Sequence, residues 1–160
     1  MMPHEPVCDI MHRTMYNLTF VEDHAAPHGP FEVTQLINSF LGALAHPWEK
    51  FQDDLRVMPL EDARKRGWPA IDKERATDKA PVSLGDLLRL MRNALAHGNI
   101  EFLPGLSGEI QAMRLWNCDR RRRTWGAIIS TTNMRMFLAR FVKLIEELDA
   151  RSGRLRSQIA

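Results

Sequence analysis

Apolar positions recur with a helical period along four stretches of the chain and cluster in two short strand-like segments between the third and fourth. Residues 9–25 place Ile10, Thr14, Leu18 and Val21 at helical spacing, and the breaker run Pro27, His28, Gly29 and Pro30 closes that segment. A clearer stripe follows in Val33, Leu36, Ile37, Phe40, Leu41 and Leu44, and Pro47 ends it by disfavouring helical geometry at the preceding residue. A third helix is predicted from Ser83, whose hydroxyl is placed to cap the first turn, with Asp86 three residues on as an acidic variant of the capping box. Leu84, Leu87, Leu88, Met91 and Leu95 form its apolar stripe, and Gly98 supplies a stop. Residues 99–103 read as short and extended. Residues 110–117 and 124–130 then read as two strands around a 119–123 turn. Thr131, Thr132 or Asn133 is expected to cap a last helix carrying Met134, Phe137, Leu138, Phe141, Leu144, Ile145 and Leu148, with a frayed tail over 153–160.

Between the second and third helices the order breaks down. Residues 48–81 contain Pro59, Pro69 and Pro81 and closely mixed charges, and read as an irregular excursion with short helical turns near 48–55 and 61–66. Neither flank could complete a core alone, so the expectation is one domain over residues 1–160 with its core at about 10–150. The predicted class is mostly α: a bundle of about four main helices with a small β-hairpin before the last.

At 160 residues, 44% apolar and 26% charged, the chain has ordinary globular composition. No apolar run approaches the roughly 20 residues that cross a bilayer, and residues 1–10 carry acids and prolines where a signal peptide has a basic and then an apolar segment. Cys8 and Cys118 lack disulfide-framework or metal-site spacing. A cytoplasmic protein without a membrane partner, metal or cofactor is expected. Residues 1–109 hold 11 basic and 16 acidic side chains, a net −5, whereas residues 110–160 hold 11 and 4, a net +7. That polarity fits a polyanionic partner met by the C-terminal third, or a solvated basic helix.

The third helix ends in Arg92-Asn93-Ala94-Leu95-Ala96-His97. Asn93 and His97, four apart, project together and nearly opposite the apolar stripe, and Arg92 projects from the flank. A polar triplet off the core face is not needed for packing. Histidine relays protons near neutral pH, arginine offers a permanent charge and a planar donor fork for phosphate oxygens, and asparagine can hold an oxygen or fix an imidazole tautomer. Together they suit phosphoryl chemistry on RNA, whose 2′-hydroxyl supplies an internal nucleophile. The bland counterpart is a surface arginine and a helix-ending histidine.

The motif resembles the Arg-x4–6-His signature of the HEPN superfamily (higher eukaryotes and prokaryotes nucleotide-binding), typically with a polar residue straight after the arginine, as Asn93 is here. Residues 33–42, Val-Thr-Gln-Leu-Ile-Asn-Ser-Phe-Leu-Gly, with Pro47 and Glu49 following, and residues 92–102, Arg-Asn-Ala-Leu-Ala-His-Gly-Asn-Ile-Glu-Phe, resemble one bacterial, plasmid- or defence-associated HEPN family. The hairpin with Trp116 and Trp125 fits as well, and the resemblance covers roughly residues 10–150. It implies a HEPN-like helical bundle acting as a metal-independent endoribonuclease and as a homodimer with both motifs facing one cleft. Arg92 would stabilise charge at the scissile phosphate, His97 would handle protons and Asn93 would assist. It also implies a toxin–antitoxin or phage-defence setting with an antitoxin or regulatory protein as partner. The alternative is a catalytically silent HEPN module that binds nucleotide or RNA, or a helical protein-interaction module.

Leu90 and Ala94 share the side of the helix that carries Asn93 and His97, which suits either a two-fold contact or a cover supplied by the 48–81 excursion. Arg120, Arg121, Arg122 and Arg123 at the hairpin tip, flanked by Trp116 and Trp125, read as an RNA-backbone grip or as a solvated turn. His24 and His28 have four-residue spacing, but Pro27 breaks the helix that would align them for zinc. Asn38 is expected to be a buried hydrogen-bonding group, or to help orient the motif; Cys118, in a strand, is expected to be packed or inert and not nucleophilic.

Overall fold

The computed structural model describes residues 6–159, with side chains through residue 152. The order among them is α1 (Pro6–Asp23), α2 (Glu32–Ala45), α3 (Trp48–Arg56), α4 (Leu60–Lys65), α5 (Leu84–Ala96), β1 (Ile100–Pro104), β2 (Ile110–Asp119), β3 (Arg122–Ser130) and α6 (Thr131–Ile159). The protein is mostly α, with a small antiparallel sheet before the final helix, as the periodicities predict. The chain forms two compact units, one of residues 1–51 and 138–160 and the other of residues 52–137.

In the first unit α1 packs on α2. Cys8, Met11 and Leu18 are the buried residues of α1, whereas Ile10 is 43% exposed. The core face is therefore rotated from the predicted stripe, with two sulfur-bearing side chains where Ile10 and Thr14 were expected. Leu36, Ile37, Phe40, Ala43 and Leu44 of α2 are buried together with Leu138, Phe141, Ile145 and Leu148 of α6. The Cys8 thiol donates to the Ile145 carbonyl at 3.9 Å, His12 meets Glu146, and Lys50 meets Asp149 at 3.5 Å. Asn38 is exposed, which overturns the expectation of burial, and Ser39 is the buried polar residue of α2. The backbone of α6 is helical to Ile159.

In the second unit the sheet has the order β1-β2-β3, both pairs antiparallel. The predicted hairpin thus gains a third strand from the extended residues after α5. Alternation on β2 buries Met113, Leu115 and Asn117, and Trp125, Ala127 and Ile129 of β3 are buried as well. Ser130, the last residue of β3, caps α6 by accepting the Asn133 N–H at 3.1 Å, so the cap lies one residue before the three candidates.

Much of the 48–81 excursion is ordered by this sheet. Its ends are tied together where Leu60 N–H donates to Val82 O (3.0 Å) and Leu84 N–H to Met58 O (2.9 Å). Residues 72–79 run as a strap along the outer edge of β3, where Glu74 N–H donates to Gly126 O and Lys79 N–H to Thr124 O, both at 2.8 Å. Covering the edge satisfies backbone groups that would otherwise invite another strand.

Candidate functional site

The helix that carries the motif is fixed at both ends by backbone chemistry. At its start Ser83 Oγ accepts the Asp86 N–H at 3.0 Å, and the Asp86 carboxylate accepts from Val82 N–H at 3.3 Å. At its end Gly98 adopts φ +66°, Gly98 N–H donates to Leu95 O and Asn99 N–H to Ala94 O. This is a Schellman termination, and the left-handed residue it needs is the glycine. His97 is thereby set as the C-cap, on the last turn above Asn93.

Arg89, Asn93 and His97 follow at four-residue intervals and form one ridge, because each step of four advances only about 40° round the helix. All three line a cleft of about 600 Å³. Across from the ridge the cleft is walled by Asn117 and Asp119 of β2 and Arg122 and Thr124 of β3, with Thr77 and Lys79 of the strap beside them. The Asn117 side chain, itself buried, donates to Leu90 O at 2.7 Å and joins β2 to α5 at the base of the cleft. A bulge between Asn117 and Cys118 re-aims the hairpin tip, and Thr124 Oγ1 donates to Asn117 O at 3.3 Å there.

The cleft is cationic. Lys79, Arg89 and Arg122 line it and form no salt bridge among the described residues, against one lining carboxylate, Asp119. Arg123 also lines it, but its charge is spent. Its guanidinium donates to both Asp78 oxygens, at 3.1 and 2.9 Å, and to Glu74 at 2.6 Å. Burial raises the Asp78 pKa, but Arg123 and the Arg75 N–H outweigh it and hold the carboxyl below its ordinary range. Hydrogen bonding to Arg123 likewise holds Glu74 low, against a smaller effect of burial. Arg114 extends the network to Glu74 at 3.0 Å and to Glu101.

Of the site residues singled out from the sequence, Asn93, His97, Arg122 and Arg123 come together in this cleft. Arg92 is half-buried on the neighbouring flank of α5 and is not among the lining residues. The hairpin tip divides its arginines: Arg120 and Arg121 occupy the turn with φ of 44° and 68°, Arg122 faces the cleft, and Arg123 is locked in the ion network. Trp125 is 1% exposed, so of the two flanking tryptophans Trp116 alone is accessible. Leu90 and Ala94 are 6% and 0% exposed, so they form no apolar patch for a two-fold contact; β2 closes that side. Sequence reasoning missed Arg89 and Lys79. The 89–93–97 spacing would have revealed the first, and no local signal marks the second.

The polar ridge and the strands opposite it define a cationic cleft at the C-terminal end of α5, in a mostly α protein. Residues 1–152 match the HEPN pEK499 p136 family, a HEPN-type family from a plasmid, and the chain belongs to it. No match was found among curated proteins or among solved structures. No helix of the described residues is long and apolar enough to cross a membrane.

Proposed function

We propose that this protein is a metal-independent endoribonuclease that cleaves RNA by attack of the 2′-hydroxyl on the adjacent phosphate. The observation that carries the reading is the convergence of Asn93 and His97 on one cleft with Lys79, Arg89 and Arg122, three cations without carboxylate partners among the described residues. A phosphodiester in that cleft meets fixed positive charge where the pentavalent transition state gathers negative charge. The 2′-oxygen forms a bond to phosphorus as the bond to the 5′-oxygen breaks. The 2′-hydroxyl proton leaves to a base, and a proton reaches the departing 5′-oxygen; His97 serves this transfer and Asn93 orients the ring or the phosphate. The products are a 2′,3′-cyclic phosphate and a 5′-hydroxyl. Arg92 is assigned to charge stabilisation in a homodimer whose two motifs face a shared cleft, as HEPN membership implies. The setting assigned to it is cytoplasmic toxin–antitoxin or phage-defence activity, with a restraining antitoxin.

The test is incubation of the purified chain with total RNA in EDTA. Cleavage with cyclic-phosphate ends is expected. His97→Ala and Arg92→Ala should each abolish it with unchanged circular dichroism, and Asn93→Ala should weaken it less. RNA that binds but stays intact with wild type would establish the silent, binding-only alternative, and an active His97 variant would remove the catalytic assignment.

A further inference from the structure

A smaller cleft of about 350 Å³ lies on the other side of the hairpin tip, lined by Arg75, Arg114, Trp116, Cys118, Arg121 and Arg123 with one carboxylate, Glu101, which Arg114 pairs. Cys118 and Arg123 also line the larger cleft, so the two are contiguous around the tip. On β2, Trp116 faces away from α5, because its neighbour Asn117 points toward that helix and bonds Leu90. Opposite Trp116 stands Gly126, whose missing side chain leaves room for the Arg123 guanidinium. Two of the arginines, Arg114 and Arg123, are committed to carboxylates, whereas Arg75 and Arg121 form no salt bridge among the described residues. Arg121 also holds a left-handed turn position that glycine or asparagine would fill at lower conformational cost.

We propose that a single RNA strand held in the larger cleft continues around the hairpin tip into the smaller one, where Trp116 stacks a nucleobase and Arg75 and Arg121 contact flanking phosphates. The proposal rests on the ribonuclease reading for the nature of its ligand and adds a subsite outside the cleavage cleft. The chemistry is that of a single-strand platform: an aromatic face accepts any base, and guanidinium groups held in no salt bridge beside it take the backbone. It predicts a preference for longer substrates without strong sequence preference.

Trp116 reports on itself. Of the four tryptophans, Trp48, Trp68 and Trp125 are 6%, 8% and 1% exposed, and Trp116 is half-buried. The experiment uses the full chain with His97→Ala, so that RNA survives, and titrates a uridine dinucleotide and an oligomer of about eight nucleotides. Tryptophan emission and the anisotropy of labelled RNA are read together. The oligomer should quench emission and the dinucleotide should not. Trp116→Leu should remove the quench and weaken oligomer binding about tenfold. Arg75→Gln with Arg121→Gln should flatten the salt dependence by about 1.4 log units per log unit of salt. Oligomer binding without quenching overturns the subsite and leaves the ribonuclease reading standing. Equal quenching by the dinucleotide also overturns the proposed path, and failure of any RNA to bind sinks both.

Discussion

Arg123→Met separates what the basic hairpin tip does for folding from what it does for RNA. The Arg123 side chain is 15% exposed, that of Asp78 2% and that of Glu74 21%. Methionine keeps most of the aliphatic stem, so little cavity opens; the loss falls on the carboxylates. Glu74 keeps Arg114. The Asp78 carboxylate keeps the Arg75 N–H, at 2.9 Å, as a hydrogen-bond donor. Stranding one member of a buried pair costs about 3–5 kcal/mol, a large share of the roughly 5–15 kcal/mol that holds a domain together. Adding Asp78→Asn removes the stranded charge and keeps an acceptor for the Arg75 N–H, so the double variant should recover about half of that loss.

The same pair sets a pH dependence. Asp78 and Glu74 are both held below the ordinary carboxylate range. A depressed folded-state pKa stabilises the protein above the unfolded value, and that stabilisation is lost as pH falls through the folded value. Wild type should lose stability below about pH 4, whereas Arg123→Met, already lacking the pair, should show a flatter acid limb. Urea denaturation at neutral and acid pH measures the first effect. Exchange of the Glu74 and Lys79 amides, which bond Gly126 O and Thr124 O, reads release of the strap directly. A variant within about 0.5 kcal/mol of wild type, with both amides still protected, would refute the idea that this network holds the strap.

Gly85→Ala should destabilise by about 1–3 kcal/mol although alanine is the better helix former, because its Cβ would lie 2.7–2.9 Å from backbone atoms of Arg56 and Leu55; a raised melting temperature would contradict this. Among the tip arginines, Arg122→Gln should reduce the salt slope of RNA binding by about 0.7, whereas Arg120→Gln, which lines neither cleft, should leave it unchanged. Equal slopes for wild type and Arg122→Gln would remove that side chain from the interface.

The fold was legible wherever one element decided its own fate. The Ser83 cap and the Gly98 stop are local and each is met in the structure, and the α5 stripe is met at Leu84, Leu87, Leu88 and Met91; Leu95 is only half-buried, and Leu90 and Ala94 are buried by β2 on the side read as non-core. Asn38 went wrong through phase: Leu36, Ile37, Phe40 and Leu44 span an arc whose centre lies about 150° from residue 38, so the residue faces outward. Residues 99–103 were legible as extended, but their place as a third strand was not, because the segment is too short to show alternation and pairing with β2 defines it. The strap was hidden for a stronger reason. Its conformation answers to β3, some fifty residues on, through backbone hydrogen bonds that leave no side-chain pattern.

The candidate site divides along the same line. Asn93 and His97 share a face because helix geometry alone sets their separation, and the same arithmetic places Arg89 with them. The run of four arginines is different, since its net charge is plain in the sequence but its use is not. Neighbouring side chains around a tight turn point to different surfaces, and which of them keeps a free charge depends on where carboxylates arrive from elsewhere. Asp78 reaches Arg123 across 45 residues and neutralises it, while Arg122 next to it opens onto the cleft. A basic run therefore states how much charge a protein can offer a polyanion, and the tertiary pairing of each member states how much of it is available. Here Asp78 and Glu74 convert one potential phosphate contact into the clamp that holds the strap, and with it Lys79, beside Asn93 and His97.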